Sequence, residues 1–385
     1  MEPGLTLGRL TLTGFRNYAA LTWRPTGRVA VLFGPNGSGK TNLLEAVSLL
    51  APGRGLRAAR LADLVRHGDA SWAVAGQFST PEGALDIGTG SPPDGPLDRR
   101  VFRLDGTAPR SQAEIAQRVA MVWLTPQMDR LFQEGPSGRR RFLDRLVYAL
   151  EPSHAREVAA HDAAMAQRNR LLAEGGTDSS WLAALEEVIA QHAVAAAAAR
   201  AHLVAHLNAA LAADVARAFP AARLSLLCPI AERLAAEPAL AVEDWLRDAL
   251  AASRAADARA GSAALGAHRA DMELSSAETG LAAALASTGQ QKALLVGVVL
   301  GHAALLAEAR GFAPLLLLDE VTVHLDAAHR RALFAALAAT EAQVLLTGTD
   351  REAFLPLSGF AEGLCTGDGR LQADPGFCPA WHARG

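Results

Sequence analysis

The stretch LFGPNGSGKTNLLEA, residues 32 to 46, contains the complete pattern G-x-x-x-x-G-K-[ST] of a phosphate-binding loop. A strand-like segment, RVAVLFG, leads into it and a helical segment follows it, which is the context that such a loop requires. Its glycines let backbone N–H groups turn toward phosphate oxygens, and the following helix N-terminus adds partial positive charge. We therefore expect the loop to bind a nucleotide through Gly34, Pro35, Asn36, Gly37, Ser38, Gly39, Lys40 and Thr41.

An acidic strand end, PLLLLDE, supplies the second half of the predicted site. Its leucines are typical of a strand buried on both faces of a parallel sheet, and Asp319 and Glu320 follow them directly. Lys40 is expected to reach the β- and γ-phosphates of ATP, while Thr41 and Asp319 hold Mg²⁺. Glu320 is the candidate general base for the attacking water. The alternative is that the two carboxylates only cap a helix or form an ion pair.

A third motif, STGQQKALL, occupies residues 287 to 295, between the first two. It resembles the signature of ABC-type ATPases, in which a helix N-terminus binds the γ-phosphate of ATP held by a second subunit. The residues predicted to act across this dimer interface are Ser287, Gly289, Gln290 and, in the later segment VHLD, Asp326. Serine and glycine at a helix start are otherwise ordinary capping residues.

The strand AQVLLTGT lies where many ABC ATPases, transporters above all, have a switch histidine. Here the chain has Thr347. This departure argues against a transport subunit and favours an ATPase of DNA repair.

Composition bounds the remaining possibilities. With 37 basic and 40 acidic residues, the chain has almost no net field, so any contact with nucleic acid must come from local patches. Cys228, Cys365 and Cys378 are scattered without metal-ligand spacing, which indicates a reducing compartment and no disulfide framework.

The start, MEPGLTLGRLTLTG, has no export pattern, and apolar runs such as ALLVGVVLG stop well short of the ~20 residues of a membrane helix. We expect a cytoplasmic protein without a membrane partner.

Two kinds of sequence pattern divide the chain. Residues 1 to 110 and 264 to 385 contain short strands and strand-helix-strand order, which predict an α/β fold, an ABC-type ATPase head with a mixed sheet. Residues 111 to 263 are alanine-rich with helical periodicity, which predicts an inserted all-α lobe. Within the head, the Gly- and Pro-rich residues 79 to 97 are expected to form a hairpin loop.

Several further motifs are not general to ATPases. They are LTGFRNY, GRGLRAARLADLVRHG, GPSGRRRFLDRLV and GAHRADMEL, and with the motifs above they extend along the whole chain. The chain therefore resembles the RecF family of bacterial recombination and gap-repair proteins, relatives of the SMC heads. One departure is Ala267, where the family usually has proline.

This resemblance implies an ATP-dependent homodimer that binds gapped DNA where single strand meets duplex. It implies weak, DNA-stimulated ATP hydrolysis with Mg²⁺, and RecR- and RecO-type partners with which the protein assists RecA loading in recombinational repair, replication restart and the SOS response. The protein would be cytoplasmic and associated with the nucleoid. Arg16 and Asn17, from the family's FRN, would lie near the nucleotide. The resemblance fixes no role for Gln127, His268, Arg269 or Asp271.

Two arginine clusters are the candidate DNA contacts: Arg54, Arg57 and Arg60 in one, and Arg139, Arg140 and Arg141 in the other. Dense arginines suit phosphate contacts, which give affinity without sequence readout. The alternative for each cluster is a solvated face or internal ion pairs with neighbours such as Asp144. Two other classes of function also stay open: an ABC transporter ATPase subunit, and a DNA-binding scaffold whose ATP site is only structural.

Overall fold

A computed structural model describes residues 4–92, 95–175, 178–213 and 219–377. Its contacts divide the chain into two compact units. Unit 1 consists of Met1–Arg130, Asp214–Ala221 and Ala286–Gly385, and unit 2 of Leu131–Ala213 and Ala222–Leu285.

The strands and helices follow one another in three groups along the chain. The first group, in unit 1, contains β1 Thr6–Phe15, β2 Tyr18–Trp23, β3 Val29–Phe33, α1 Lys40–Ser48, β4 Ala73–Thr80, β5 Gly83–Gly90, β6 Val101–Leu104, α2 Gln112–Arg118 and β7 Met121–Leu124. The second, in unit 2, contains α3 Pro136–Leu150, α4 His154–Ala173, α5 Ser179–Ala212, β8 Ala222–Leu227, α6 Pro229–Leu234, α7 Ala239–Ala260 and β9 Asp271–Ser276. The third, again in unit 1, contains α8 Thr288–Arg310, β10 Leu315–Leu318, α9 Ala327–Ala339, β11 Val344–Gly348, β12 Ala361–Gly367 and β13 Arg370–Ala373.

The larger sheet of unit 1 sets the position of the nucleotide site. Its strand order is β13-β12-β3-β11-β10-β7, and every neighbouring pair is parallel except β12 with β13. β3 and β10 are buried at every position, as expected for parallel strands covered on both faces. Because β3 and β10 run in the same direction on either side of β11, the segments that follow them meet at one edge of the sheet.

The second sheet of unit 1 is antiparallel, with the order β2-β1-β4-β5-β6. β5 lies inside residues 79 to 97, so the predicted loop there is wrong. Leu85 and Ile87 of β5 are each 1% exposed and alternate with more exposed neighbours, but the surrounding glycines hid this two-residue period. Pro93 and Asp94 of the same stretch lie outside the described residues.

Unit 2 has a core of its own, formed mainly by α4, α5 and α7 with α6 beside them. Its centre combines alanines with fully buried aliphatic side chains, including Ile189, Val242 and Leu246. The unit also contains the antiparallel pair β8 and β9, so the predicted lobe is not all-α. The two strands are separated in sequence by α6 and α7, and no local sequence pattern predicts that they pair.

The predicted lobe bounds, residues 111 and 263, differ from the division by contacts. Residues 111 to 130 belong to unit 1 because β7 pairs in parallel with β10. Residues 264 to 285 belong to unit 2 because β9 pairs with β8. The assignment of separate functional domains to these segments stays a prediction.

Among the described residues, α5 and α8 are long and apolar enough by composition to cross a membrane, which inspection of the apolar runs alone did not predict. In the most apolar window of each helix, 50% of α5 and 78% of α8 is buried inside the protein. α8 in particular is buried on almost all sides from Gln291 to Leu306. A buried core helix passes the same test of composition, so neither helix is evidence for a membrane span.

Candidate nucleotide-binding site

The phosphate loop joins β3 to α1 through backbone conformations that favour glycine. Gly34, Gly37 and Gly39 have φ angles of 153°, 81° and 106°. A Cβ on Gly39 would lie 2.4 Å from Asn17 Nδ2 and 2.8 Å from Tyr18 Oη. Any larger residue at position 39 would therefore displace the side chains on which the loop rests.

Three side chains outside the loop hold its backbone and hydroxyl groups. Asn17 Nδ2 donates to Ser38 O at 3.3 Å, and Tyr18 Oη donates to Gly39 O at 3.1 Å. The Ser38 and Thr366 hydroxyl oxygens are 2.6 Å apart. Burial raises the pKa of Tyr18 to about 12, so its hydroxyl stays protonated at neutral pH. Sequence reasoning identified Asn17 but missed Tyr18, which the aromatic end of FRNY signals, and Thr366, which no local motif signals.

Arg16 precedes the phosphate loop in the sequence, and its side chain pairs with Glu45 of α1. Its Nε and Nη2 donate to the two carboxylate oxygens of Glu45 at 2.9 and 2.8 Å, and Nη1 donates to Asp63 O at 2.8 Å. Glu45 is 2% exposed, and such a bidentate pair is geometrically specific. A nucleotide contact by Arg16 therefore stays a prediction, because its donors already have partners within the protein.

The two predicted Mg²⁺ ligands are brought together from opposite ends of the chain. Thr41 Oγ1 donates to Asp319 Oδ1 at 2.9 Å across a sequence separation of 278 residues. Thr347 Oγ1, from β11, donates to the same oxygen at 2.6 Å. A hydroxyl and a carboxylate are hard oxygen ligands, and Mg²⁺ completes its shell with water and phosphate oxygens. The residues present thus fit the ion.

Lys40 is folded back over the loop. Its Nζ donates to Gly34 O at 2.8 Å and to Pro35 O at 2.9 Å. Burial lowers the pKa of the Lys40 amine, and the charges of Glu320 and Asp319 oppose that shift. The amine is therefore held among the loop carbonyls beside the carboxylates at the end of β10.

Glu320 has a strained backbone that is fixed on both sides. Its φ of 48° is in the left-handed region, which is costly for a residue with a side chain. Its N–H donates to Thr347 Oγ1 at 2.9 Å, and its carbonyl accepts from Lys292 Nζ at 3.1 Å. Thr347 thus contacts both acidic residues from the strand where many ABC ATPases have a switch histidine. The sequence alone did not predict the contact of Lys292.

The signature segment begins α8 with a reciprocal cap. Ser287 Oγ accepts from Gln290 N at 3.4 Å, and Ser287 N donates to Gln290 Oε1 at 3.0 Å. A Cβ on Gly289 would lie 2.9 Å from His324 O, so this position requires glycine. Ser287 and Gln290 are exposed. The structure therefore shows their capping role, while contact with a nucleotide of a second subunit stays a prediction.

Asp326, also predicted to act across the interface, caps α9. Its Oδ1 accepts from His329 N at 2.8 Å, and its Oδ2 is 2.9 Å from His329 Nδ1. The side chain of Asp326 is 64% exposed. It is accessible to a partner, and its interfacial role remains to be tested.

The arginines of GRRRF do not form one exposed cluster. Arg139 donates from Nε and Nη2 to the two oxygens of Asp271, each at 2.8 Å. Arg140 is half-buried and donates to Ala270 O at 2.9 Å, whereas Arg141 is exposed. For Arg139 the ion-pair alternative describes the structure, and Asp271 gains a role as its partner.

The arginines of RGLRAAR are divided in the same way. Arg57 Nη1 donates to Asn42 Oδ1 at 2.8 Å and lies 3.5 Å from Glu45. Arg54 and Arg60 are exposed. They line a groove of about 530 Å³, together with residues that include Asp98, Arg100 and Gln112. Of this cluster, Arg54 and Arg60 remain the candidates for phosphate contact.

The residues without an assigned role fall in two places. Arg269 donates from Nε and Nη2 to Ala263 O at 2.9 and 2.7 Å, and His268 Nε2 lies 3.2 Å from the same oxygen. These bonds fix a turn within unit 2. Gln127 is exposed on the 3₁₀-helix Pro126–Arg130 of unit 1.

Comparison with known proteins matches this chain to one family. The family described as "RecF/RecN/SMC N terminal domain" matches residues 6–358. The DNA replication and repair protein RecF of Mesorhizobium japonicum is 45% identical over 372 residues, which cover 95% of this chain and 97% of that protein. The chain belongs to the RecF family. A second RecF, from Agrobacterium fabrum, is 44% identical over 376 residues, covering 97% of this chain and 100% of its own length.

Solved structures extend the RecF-family likeness to the fold. A recombination mediator protein RecF in complex with ATP, described in the RecFOR pathway, superposes with a TM-score of 0.83 at 22% identity, covering 97% of this chain and 99% of its own. An SMC head bound to the C-winged helix domain of ScpA gives a TM-score of 0.52 at 17% identity, with 96% and 97% coverage. The predicted fold class and the predicted family are thereby confirmed.

Proposed function

We propose that this chain is an ATP-dependent DNA-binding protein that, as an ATP-closed homodimer, recognises single-strand/duplex junctions at gaps and assists RecA loading. The observation that carries the proposal is the meeting of Thr41 with Asp319 at 2.9 Å beside Glu320, in a chain of the RecF family. Its relatives are named for DNA replication and repair. RecR- and RecO-type mediators are the proposed partners, since a related structure is placed in the RecFOR pathway.

We assign the proposed steps to residues as follows. The phosphate loop and Asn17 bind ATP, Thr41 and Asp319 hold Mg²⁺, and Glu320 orients the attacking water as general base. Ser287, Gly289, Gln290 and Asp326 contact the nucleotide site of the second subunit. Hydrolysis is weak, stimulated by DNA, and acts as a release switch.

The transporter alternative loses its support. Thr347, on the strand where many ABC transporters have a switch histidine, is bound to Asp319 and to the backbone of Glu320, and the family match is to RecF proteins. A membrane partner is therefore not proposed, and the proposed location is the cytoplasm, on the nucleoid. The scaffold alternative makes a different prediction for turnover, which the Glu320→Gln variant tests.

Binding of a fluorescent gapped duplex, followed by anisotropy, tests the nucleotide switch. The wild-type chain is expected to bind tightly with ATP and weakly with ADP. Ser287→Arg should abolish the difference, because a long cationic side chain at the exposed start of α8 blocks closure onto a second nucleotide.

Ala339→Arg provides the matched control. It adds the same side chain to an exposed position at the end of α9, about 20 Å along that helix from Asp326 by the rise per residue, and it should bind DNA as the wild type does. Equal DNA affinity with ATP and ADP in the wild type would contradict the switch.

Salt dependence tests the exposed arginines. Replacing Arg54 and Arg60 together by glutamine should weaken DNA binding and reduce the slope of log affinity against log salt by about two, because each phosphate contact releases roughly one counterion. Arg139→Gln is the control, since Arg139 is paired with Asp271 at 2.8 Å, and its slope should not change. An unchanged slope in the double variant would remove this groove as a DNA contact.

A further inference from the structure

A buried lysine of α8 connects this helix to two other segments of unit 1. Lys292 is 1% exposed. Its Nζ donates to the Glu320 carbonyl at 3.1 Å and to Asp129 Oδ2 at 3.3 Å. The segments joined in this way are the signature helix, the turn after β10 and the 3₁₀-helix Pro126–Arg130 that also carries Gln127.

The charge of Lys292 is balanced within this arrangement. A buried ammonium is costly unless it is paired and hydrogen-bonded, and Asp129 supplies the paired carboxylate, itself 14% exposed. Burial lowers the pKa of the Lys292 amine, while Asp129, Glu320 and Asp319 oppose the shift. Two apolar side chains in place of Lys292 and Asp129 would fill the same space at lower cost, so stability alone gives no reason for an ion pair here.

The contact on Glu320 acts on its backbone and not on its carboxylate. Thr347 Oγ1 accepts the N–H of Glu320, and Lys292 binds its carbonyl oxygen. Together the two side chains hold a residue whose φ is 48°, a conformation that persists only when its surroundings enforce it. This backbone fixes the direction of the Glu320 Cα–Cβ bond, from which the side chain extends.

We propose that Lys292, held by Asp129, is a positioning residue that fixes the backbone of Glu320 and so aims its carboxylate at the attacking water. The inference rests on the proposed function, because it takes Glu320 as the general base. It also links the signature helix mechanically to the base of the same subunit, so that a shift of α8 on dimer closure is transmitted to Glu320 through one ammonium group.

Single substitutions of Lys292 test the proposal. Lys292→Met keeps the unbranched chain up to the position of Cε and removes the ammonium. In the full-length protein it should lower kcat for ATP about 10- to 100-fold, as expected for an ångström-scale misplacement, while the Kd for a fluorescent ATP analogue and the KM stay within about twofold. Lys292→Arg restores a cationic donor and should recover part of kcat. Asp129→Asn should lower kcat in the same direction.

A second buried polar residue controls for loss of stability. Gln343 is 3% exposed and exchanges hydrogen bonds with the backbone of Leu7 at 2.7 and 3.2 Å. Gln343→Met therefore destabilises unit 1 without touching Glu320, and it should leave kcat unchanged at a temperature where the variant stays folded.

The outcomes separate the two proposals. Wild-type turnover in Lys292→Met would overturn the positioning role. The role would also be overturned if Lys292→Met and Gln343→Met both lost ATP binding together with thermal stability. A fall in kcat in Lys292→Met without any recovery in Lys292→Arg and without an effect of Asp129→Asn would also overturn it. If Glu320→Gln itself turns over ATP normally, the assignment of Glu320 fails first.

Discussion

Turnover of ATP is expected to fall by about 100-fold or more in Glu320→Gln, while ATP is still bound with wild-type affinity. Positioned general bases contribute about 10²- to 10⁴-fold to a rate. The amide cannot take the proton from water, yet it has the shape of the carboxylate, and the backbone bonds to Thr347 and Lys292 are unaffected. Steady-state hydrolysis and titration of a fluorescent ATP analogue measure the two quantities.

Glu341→Gln is the matched control. It removes an exposed carboxylate elsewhere in unit 1 and should leave both quantities unchanged. The prediction has a second consequence, since a variant that binds ATP without hydrolysing it should stay on gapped DNA longer than the wild type. Unchanged turnover in Glu320→Gln would leave the scaffold with a structural ATP site as the better description.

The largest expected loss of stability follows from replacing Arg168 by methionine. Arg168 is fully buried in α4 and donates to Glu186 and to Asp257, each at 2.9 Å, and to Leu250 O at 2.6 Å. Without it, two buried carboxylates lose a shared cation, a change that costs about 3–5 kcal/mol. Arg254 still pairs with Glu186 from a partly exposed position, but it does not replace the bond to Asp257.

Hydrogen exchange measured by mass spectrometry locates this loss. Amides of α5 and α7 should lose about two to three powers of ten in protection, at roughly 1.4 kcal/mol for each power, while β3 and β10 keep theirs. Arg247→Met, on the exposed face of α7 where Arg247 pairs with Glu187 and Asp244, should leave protection unchanged. Equal protection in Arg168→Met and wild type would show that the buried cluster contributes nothing to unit 2.

The sequence was sufficient for the parts of the site that local chemistry specifies. A phosphate loop must have glycine where φ is positive, so GPNGSGKT predicts both conformation and ligand. The buried strand LLLL must end where the chain leaves the sheet, which predicts that Asp319 lies near Thr41. The full-length likeness to the RecF family followed from motifs of this kind.

The remaining parts depend on tertiary partners that no local pattern encodes. Lys292 looks like one more residue of a helix until Glu320 and Asp129 are placed beside it. Arg139 and Arg141 are equivalent in sequence, and only the packing of α3 on β9 directs the first to Asp271. The pairing of β8 with β9 joins segments separated by two helices. Non-local contacts therefore determine which of the predicted residues are paired within the protein and which stay exposed for binding.

Because β3 lies between β12 and β11, its sheet can be completed only after the segments that follow unit 2 have been synthesised. The phosphate loop leaves the ribosome early, but both neighbours of its strand are encoded in the last part of the chain. At a synthesis rate of roughly 5–20 residues per second, VAVLF waits on the order of tens of seconds for its partners, whereas unit 2 is complete well before. The nascent chain must protect an apolar strand during that interval, and a chain truncated before β10 would contain the whole phosphate loop without Asp319, Glu320 and Thr347.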